Sequence, residues 1–277
     1  MSPRFRTVLR WMGAAALVAV PSAFAFGPLL PWSPVHPGYE ELRTGRGRVL
    51  YPSGTPLPAS FRDLDRMLAE AEQFHGYRAG SPVNVVLSGS WGAFRRSVPW
   101  IRGTGIGAVT LLTGDAVYIT PAVDGIKRDY GEFLRHELSH AVLAQGGAIL
   151  SSYRFSKRFW AYEGVAVWFG RQQAYFSQER FNALAPQAGV AKLLLEDDGA
   201  VDIRYRYILW RNFLDYIDQR RGRQSMRAFL QALNRDSSQL EAEFQSAFEG
   251  SLAETAAAFE TAVLAGDFEP RRWEARP

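Results

Sequence analysis

The 277-residue chain contains no cysteine. That absence excludes disulfides, cysteine-ligated zinc and cysteine nucleophiles together, so stability has to come from a buried core. Histidine is almost as scarce, with four residues in all, and a site built on imidazole has few positions to draw from. A charge excess is missing too. The formal net charge of +4 includes Arg4, Arg6 and Arg10, the only charged side chains in the first 25 residues; without these three the balance is +1. A body so close to neutral lacks the basic stripe of a nucleic-acid binder, and no nucleic-acid partner is expected. After residue 32 there is no second apolar run of spanning length, so a polytopic membrane protein is excluded. No internal repeat is visible.

What remains is ordinary globular composition, with 47% hydrophobic and 22% charged residues. The length suffices for one large domain or two small ones. The three arginines precede an uncharged stretch from Trp11 to Trp32 that contains the small-residue pattern Ala23-Phe24-Ala25. A basic start, an apolar middle and such a pattern describe a secretory signal cleaved after Ala25. The same run, roughly 20 residues, is also long enough for a retained anchor. Both alternatives leave the positive end cytoplasmic and place the rest of the chain outside the cytoplasm, in the periplasm or an equivalent compartment. A retained segment would make the membrane a partner.

Residues 33–58 are rich in Pro and Gly and read as an irregular lead-in. In "SFRDLDRMLAEAEQFHG", Leu64, Met67, Leu68 and Ala71 recur at helical spacing behind Ser60 as N-cap. "PVNVVLSG" (82–89) and "GAVTLLTGDAVYITP" (107–121) predict strands, the second stretch holding two joined by a Thr-Gly-Asp turn. "RGTGIG" (102–107) imitates a phosphate loop, but it leads into a strand instead of opening a helix, so its glycines belong to turns. Beyond Pro121 the periodicity is helical, first over "RDYGEFLRHELSHAVLAQGG", then "SKRFWAYEGVAVWFGRQQ", then "DIRYRYILWRNFLDYIDQRRG". Shorter helices follow to residue 265, and 266–277 reads as an exposed tail. The sum is an α+β fold, a small sheet followed by a helical second half.

Two of the four histidines stand in His136-Glu137-Leu138-Ser139-His140. Residues four apart share one face of a helix, so His136 and His140 can offer two imidazoles to one ion. Glu137, about 100° around the axis, sits beside them as a carboxylate able to take a proton from water. A third histidine ligand six residues beyond the second is excluded, because Gly146 occupies that position. His36 lies in the lead-in and His75 ends an early helix, so neither is attractive. A carboxylate is left, and Glu163, 23 residues after His140 in "FWAYEGVAVWF", can return on an antiparallel helix. Pairing Ser139 with a neighbouring histidine as a nucleophile fails, since adjacent helical residues point about 100° apart and no nucleophile elbow surrounds it. Arg128, Asp129, Glu132 and Arg135 make this helix too polar to lie in lipid.

His-Glu-x-x-His followed by Trp160-x-x-Glu163-Gly164-x-Ala166 resembles the gluzincin metallopeptidases, in particular the thermolysin-like and aminopeptidase branch and the small peptidase MA-like proteins. The resemblance runs from about Val83 to the last helix. It implies a zincin-like peptidase domain over 59–265, a Zn2+ ion held by His136, His140 and Glu163, Glu137 as general base, and a peptide or protein substrate. Trp160 and Gly164 are read as packing residues. A glycine-rich exopeptidase signature is missing, so recognition of a free amino terminus is not implied. In such enzymes the strand before the metal helix commonly lines the substrate cleft; here "AVYIT" (116–120) is either that, with an edge open to an extended peptide, or plain sheet core. The resemblance also implies a tyrosine hydroxyl from a later helix acting on the reacting carbonyl. Tyr207, nine residues before Tyr216, is the first choice and Tyr205 the alternative. The competing function is a non-catalytic zincin-like module that binds peptides or cell-envelope components outside the cytoplasm.

Overall fold

The structure, a computed structural model, describes residues 3–102, 106–121, 130–172, 178–196 and 202–271. It divides into two compact units. One comprises Met1–Asp65, Pro82–Thr110 and Asp115–Arg128; the other comprises Arg66–Ser81, Leu111–Gly114 and Asp129–Pro277.

The first unit is built on a five-stranded mixed sheet in the order β1-β2-β3-β5-β4, where β1 is Tyr39–Arg43, β2 Gly47–Pro52, β3 Val83–Leu87, β4 Ala108–Thr110 and β5 Ala116–Ile119. β2, β3 and β5 run parallel, and the two edge strands pair antiparallel to their neighbours. Every residue of β3 and β5 is buried, as expected of largely apolar strands covered on both faces; the one polar residue, Asn84, has its amide bonded to Arg48 and to the Asp115 carbonyl. β5 is therefore sheet core: β3 and β4 hydrogen-bond to its two sides, and the edge expected to receive a peptide is closed by β4. The β4–β5 turn holds Gly114 at φ +71, a conformation glycine adopts without steric cost. The phosphate-loop imitation lies partly outside the described residues.

Residues 33–58 differ from their expected irregularity, since β1 and β2 lie within them. Ahead of them, helix α1 (Pro3–Phe26) carries the N-terminal apolar run, with Trp11, Leu17 and Val18 exposed. Among the described residues, no helix is long and apolar enough to cross a membrane. The chain leaving α1 is fastened to the sheet. Leu30 is buried, the Tyr118 hydroxyl donates to the Pro28 carbonyl at 2.8 Å, and the Arg48 guanidinium donates to the Pro31 carbonyl at 3.0 Å. The unit also holds α3 (Trp91–Ser97), whose first turn is capped by the Ser90 hydroxyl.

The second unit is helical. α2 (Leu64–His75) begins after a 3-10 turn at Ala59–Asp63, three residues later than the Ser60 cap predicts. The others are α4 (Tyr130–Gln145), α5 (Ile149–Ser156), α6 (Phe159–Gly170), α7 (Gln178–Ala188) and α8 (Val190–Leu195). They are followed by α9 (Ile203–Arg235), α10 (Leu240–Phe248) and α11 (Leu252–Ala265). α9 kinks at Gly222, φ +82. Its core is aromatic: Trp160 packs on Phe213, Phe229 and Phe244. Residues 266–271 are largely exposed but fastened, with Phe268 on Phe259 and Tyr216, and Arg271 paired with Asp218; the rest of the expected tail lies outside the described residues.

Candidate metal centre

α4 carries His136, Glu137 and His140, all buried, and α6 carries Glu163. Gly170 at the end of α6 lies against Glu132 and His136, while Glu163 reaches His136 and His140. The two helices therefore run antiparallel, and this direction returns Glu163 to the histidines.

His136 Nε2 and His140 Nε2 are 3.1 Å apart; Glu163 Oε2 is 3.4 Å from the first and Oε1 3.5 Å from the second. A tetrahedral ion with bonds of about 2.0–2.1 Å has ligand atoms about 3.3 Å apart along each edge. Two buried imidazoles and one half-buried carboxylate already stand at roughly those separations, so the three residues could hold a metal ion. Two imidazoles and one carboxylate are an N/O donor set that suits zinc and several other first-row ions.

Gln172, which nothing in the sequence marks, sets the orientation of His136. Its side-chain Oε1 lies 2.9 Å from His136 Nδ1. Nδ1–H donates to that oxygen, which leaves the lone pair on Nε2 facing the other ligands. Gln172 arrives there because Arg171 adopts a left-handed φ of +56 at the end of α6, folding the chain back on the helix. His140 is held differently, stacked face to face on Tyr162 with ring centroids 4.1 Å apart.

The electrostatics are those of a charged carboxylate between two imidazoles. Burial pushes the Glu163 carboxyl up, but His140 and His136 outweigh it and hold it well below the usual carboxylate range. Burial disfavours charging His136, yet Glu163, Glu137 and Gln172 together raise its pKa.

Of the two tyrosines, Tyr207 is beside the cluster, its ring centroid 6.4 Å from that of His136. Tyr205 is buried against Phe181 of α7 at 5.4 Å, where burial and Glu260 push its hydroxyl up to about 12. Ser139 is bonded to neither neighbouring histidine but to His75 of α2: Oγ and Nε2 are 2.8 Å apart. Both are fully buried, so the pair ties α2 to α4 and offers no nucleophile to a substrate. Burial, with the charges of His140 and Arg227, lowers His75 to about 3 and keeps it neutral. Gly164 packs as a spacer, since a Cβ there would stand 2.9 Å from Trp210 Cβ. No known family model matches the chain, and no curated protein is similar enough to stand as a relative.

Proposed function

We propose that this chain is a zinc-dependent metallopeptidase of the gluzincin type, exported from the cytoplasm and acting on peptide bonds. One observation carries the reading: His136, His140 and Glu163 converge at ligand separations while the Glu137 carboxylate sits on the same helix, next to the first ligand. A bound Zn2+ would polarise the scissile carbonyl and make a water acidic enough to be deprotonated near neutral pH.

The residues then divide the work. Glu137 accepts the proton of the attacking water and delivers it to the departing amine, so that water is consumed and the C–N bond breaks with no net proton change. Tyr207 donates its hydroxyl to the carbonyl oxygen as negative charge develops there. Gln172 and Tyr162 keep the two imidazoles in place. Residues at the N-terminus, Arg4 to Phe26, supply the export signal or an anchor.

The test is Glu137→Gln, which preserves volume but cannot accept the proton. Metal content, read by elemental analysis, should match that of the unaltered chain. Turnover of casein and mixed peptides should fall by roughly 10²- to 10⁴-fold. Tyr207→Phe should cost roughly 10- to 1,000-fold with metal unchanged, and Tyr205→Phe should leave turnover intact. Full turnover in Glu137→Gln would sink the peptidase reading. Metal retained with no cleavage by the unaltered chain would favour the binding module.

A further inference from the structure

α5 presents an apolar face to solvent. Ile149 is 58% exposed, Leu150 60% and Tyr153 45%, and Phe159, which opens α6, is 42% exposed. Positions 149, 150 and 153 lie on one side of the helix, opposite Ser152 and Phe155, which are buried. Four large apolar side chains on one short segment are costly in water: full burial of each is worth roughly 1.5–3 kcal/mol.

The charge around this face is predominantly positive. From Leu138 to Tyr162 the sequence has no acidic residue, while Arg154, Lys157 and Arg158 are exposed within it. Lys157 Nζ lies 4.8 Å above the Tyr153 ring, cation and aromatic on the same side. Arg158 Nε donates to the Ser237 carbonyl, and Asp236 is the carboxylate that feels Arg154. With Asp236 counted, the face still carries an excess of two positive charges.

We propose that this α5 face docks on an anionic phospholipid bilayer, Ile149, Leu150, Tyr153 and Phe159 entering the interface and Arg154 and Lys157 meeting the headgroups. The inference does not depend on the peptidase reading. Apolar and aromatic side chains flanked by Lys and Arg are the chemistry of interfacial helices. A second copy is a poorer occupant, because a two-fold contact would set like cations against one another. A stable protein interface also needs roughly 20–30 residues a side, far more than this face offers, whereas a bilayer needs only points of entry.

The cysteine-free chain allows a local readout. The full chain carrying Leu150→Cys is labelled with an environment-sensitive fluorophore and mixed with vesicles of phosphatidylglycerol or of phosphatidylcholine. Gln245→Cys, exposed on α10, is the control, and Tyr153→Cys is a second position should the first perturb folding. Sedimentation with each vesicle is measured alongside, so that binding through any other part of the chain, the α1 helix included, is told apart from the label's own environment. A blue shift at 150 on phosphatidylglycerol is expected, with none at 245, and high salt should abolish it. Arg154→Gln with Lys157→Gln should weaken the docked state about 25-fold, about fivefold for each charge. No shift at 150 while the chain sediments with the vesicles would overturn the proposal. So would equal shifts on the two lipids, or a shift that tracks protein concentration without vesicles and so reports a second copy.

Discussion

His136 can offer Nε2 to an ion only while its proton stays on Nδ1, and the Gln172 oxygen at 2.9 Å keeps it there. Replacing that acceptor should therefore reduce metal affinity without touching a ligand. Gln172→Ala is expected to weaken zinc binding about 10- to 100-fold, measured by competition with a chromophoric chelator, while Gln172→Glu retains an acceptor and should bind as well as the unaltered chain. Equal affinity in all three chains would show that the tautomer is set elsewhere. The clustering of His136, His140 and Glu163 is legible in the sequence, because helical spacing alone puts the two histidines on one face and elimination leaves Glu163. Gln172 is not. Its position follows from one left-handed residue, Arg171 at φ +56, and a side chain rarely adopts that conformation or advertises it in sequence.

At the scale of elements, the centre exists because α4 and α6 approach closely, and Gly170 is where they touch. A Cβ at residue 170 would lie 3.0 Å from the Glu132 carbonyl oxygen, 3.2 Å from His136 N and 3.3 Å from His136 Cβ. Two of those are α4 backbone atoms, which cannot rotate away. Helix propensity would favour alanine by about 1 kcal/mol, but overpacking costs about 1–3 kcal/mol, and here the clash wins. Gly170→Ala is expected to lower stability by up to about 2 kcal/mol in urea unfolding of the metal-free chain. It should also weaken metal binding, since the helix displaced is the one that carries Glu163. Unchanged affinity together with lost stability would mean that α6 yields without moving its carboxylate. The long helices were readable from apolar periodicity. β1 was not, because "YEELR" is an edge strand with no fully buried position, so its period-two signal is weak. Nor was α5, whose face is turned outward.

The whole molecule reads as sheet first and helices after, as the strand and helix patterns imply, but the boundary between its two units is not sequential. α2 falls with the helical unit from Arg66 onward, although β2 and β3 flank it in the chain. A cut placed by composition alone therefore misjudges where the body starts. Ser33 looks like a natural beginning because the apolar run has ended. In the structure, residues 28–32 already belong to the sheet unit: Leu30 is buried, Trp32 Nε1 donates to Asp115 at 3.2 Å, and the carbonyls of Pro28 and Pro31 accept from Tyr118 and Arg48. Cleavage after Ala25 would leave all of these contacts intact; a start at Ser33 would remove them and open the Tyr118 ring and hydroxyl to water. Losing a buried leucine costs roughly 1.5–3 kcal/mol, and each of the three hydrogen bonds exchanged for water costs about 0.5–1.5 kcal/mol more. A chain beginning at Ser33 should thus be less stable than one beginning at Gly27 by about 3 kcal/mol or more. Urea unfolding measures the difference, and amide hydrogen exchange in β2, β3 and β5 locates it. Equal midpoints and equal protection would show that the segment after α1 adds nothing to the sheet it touches.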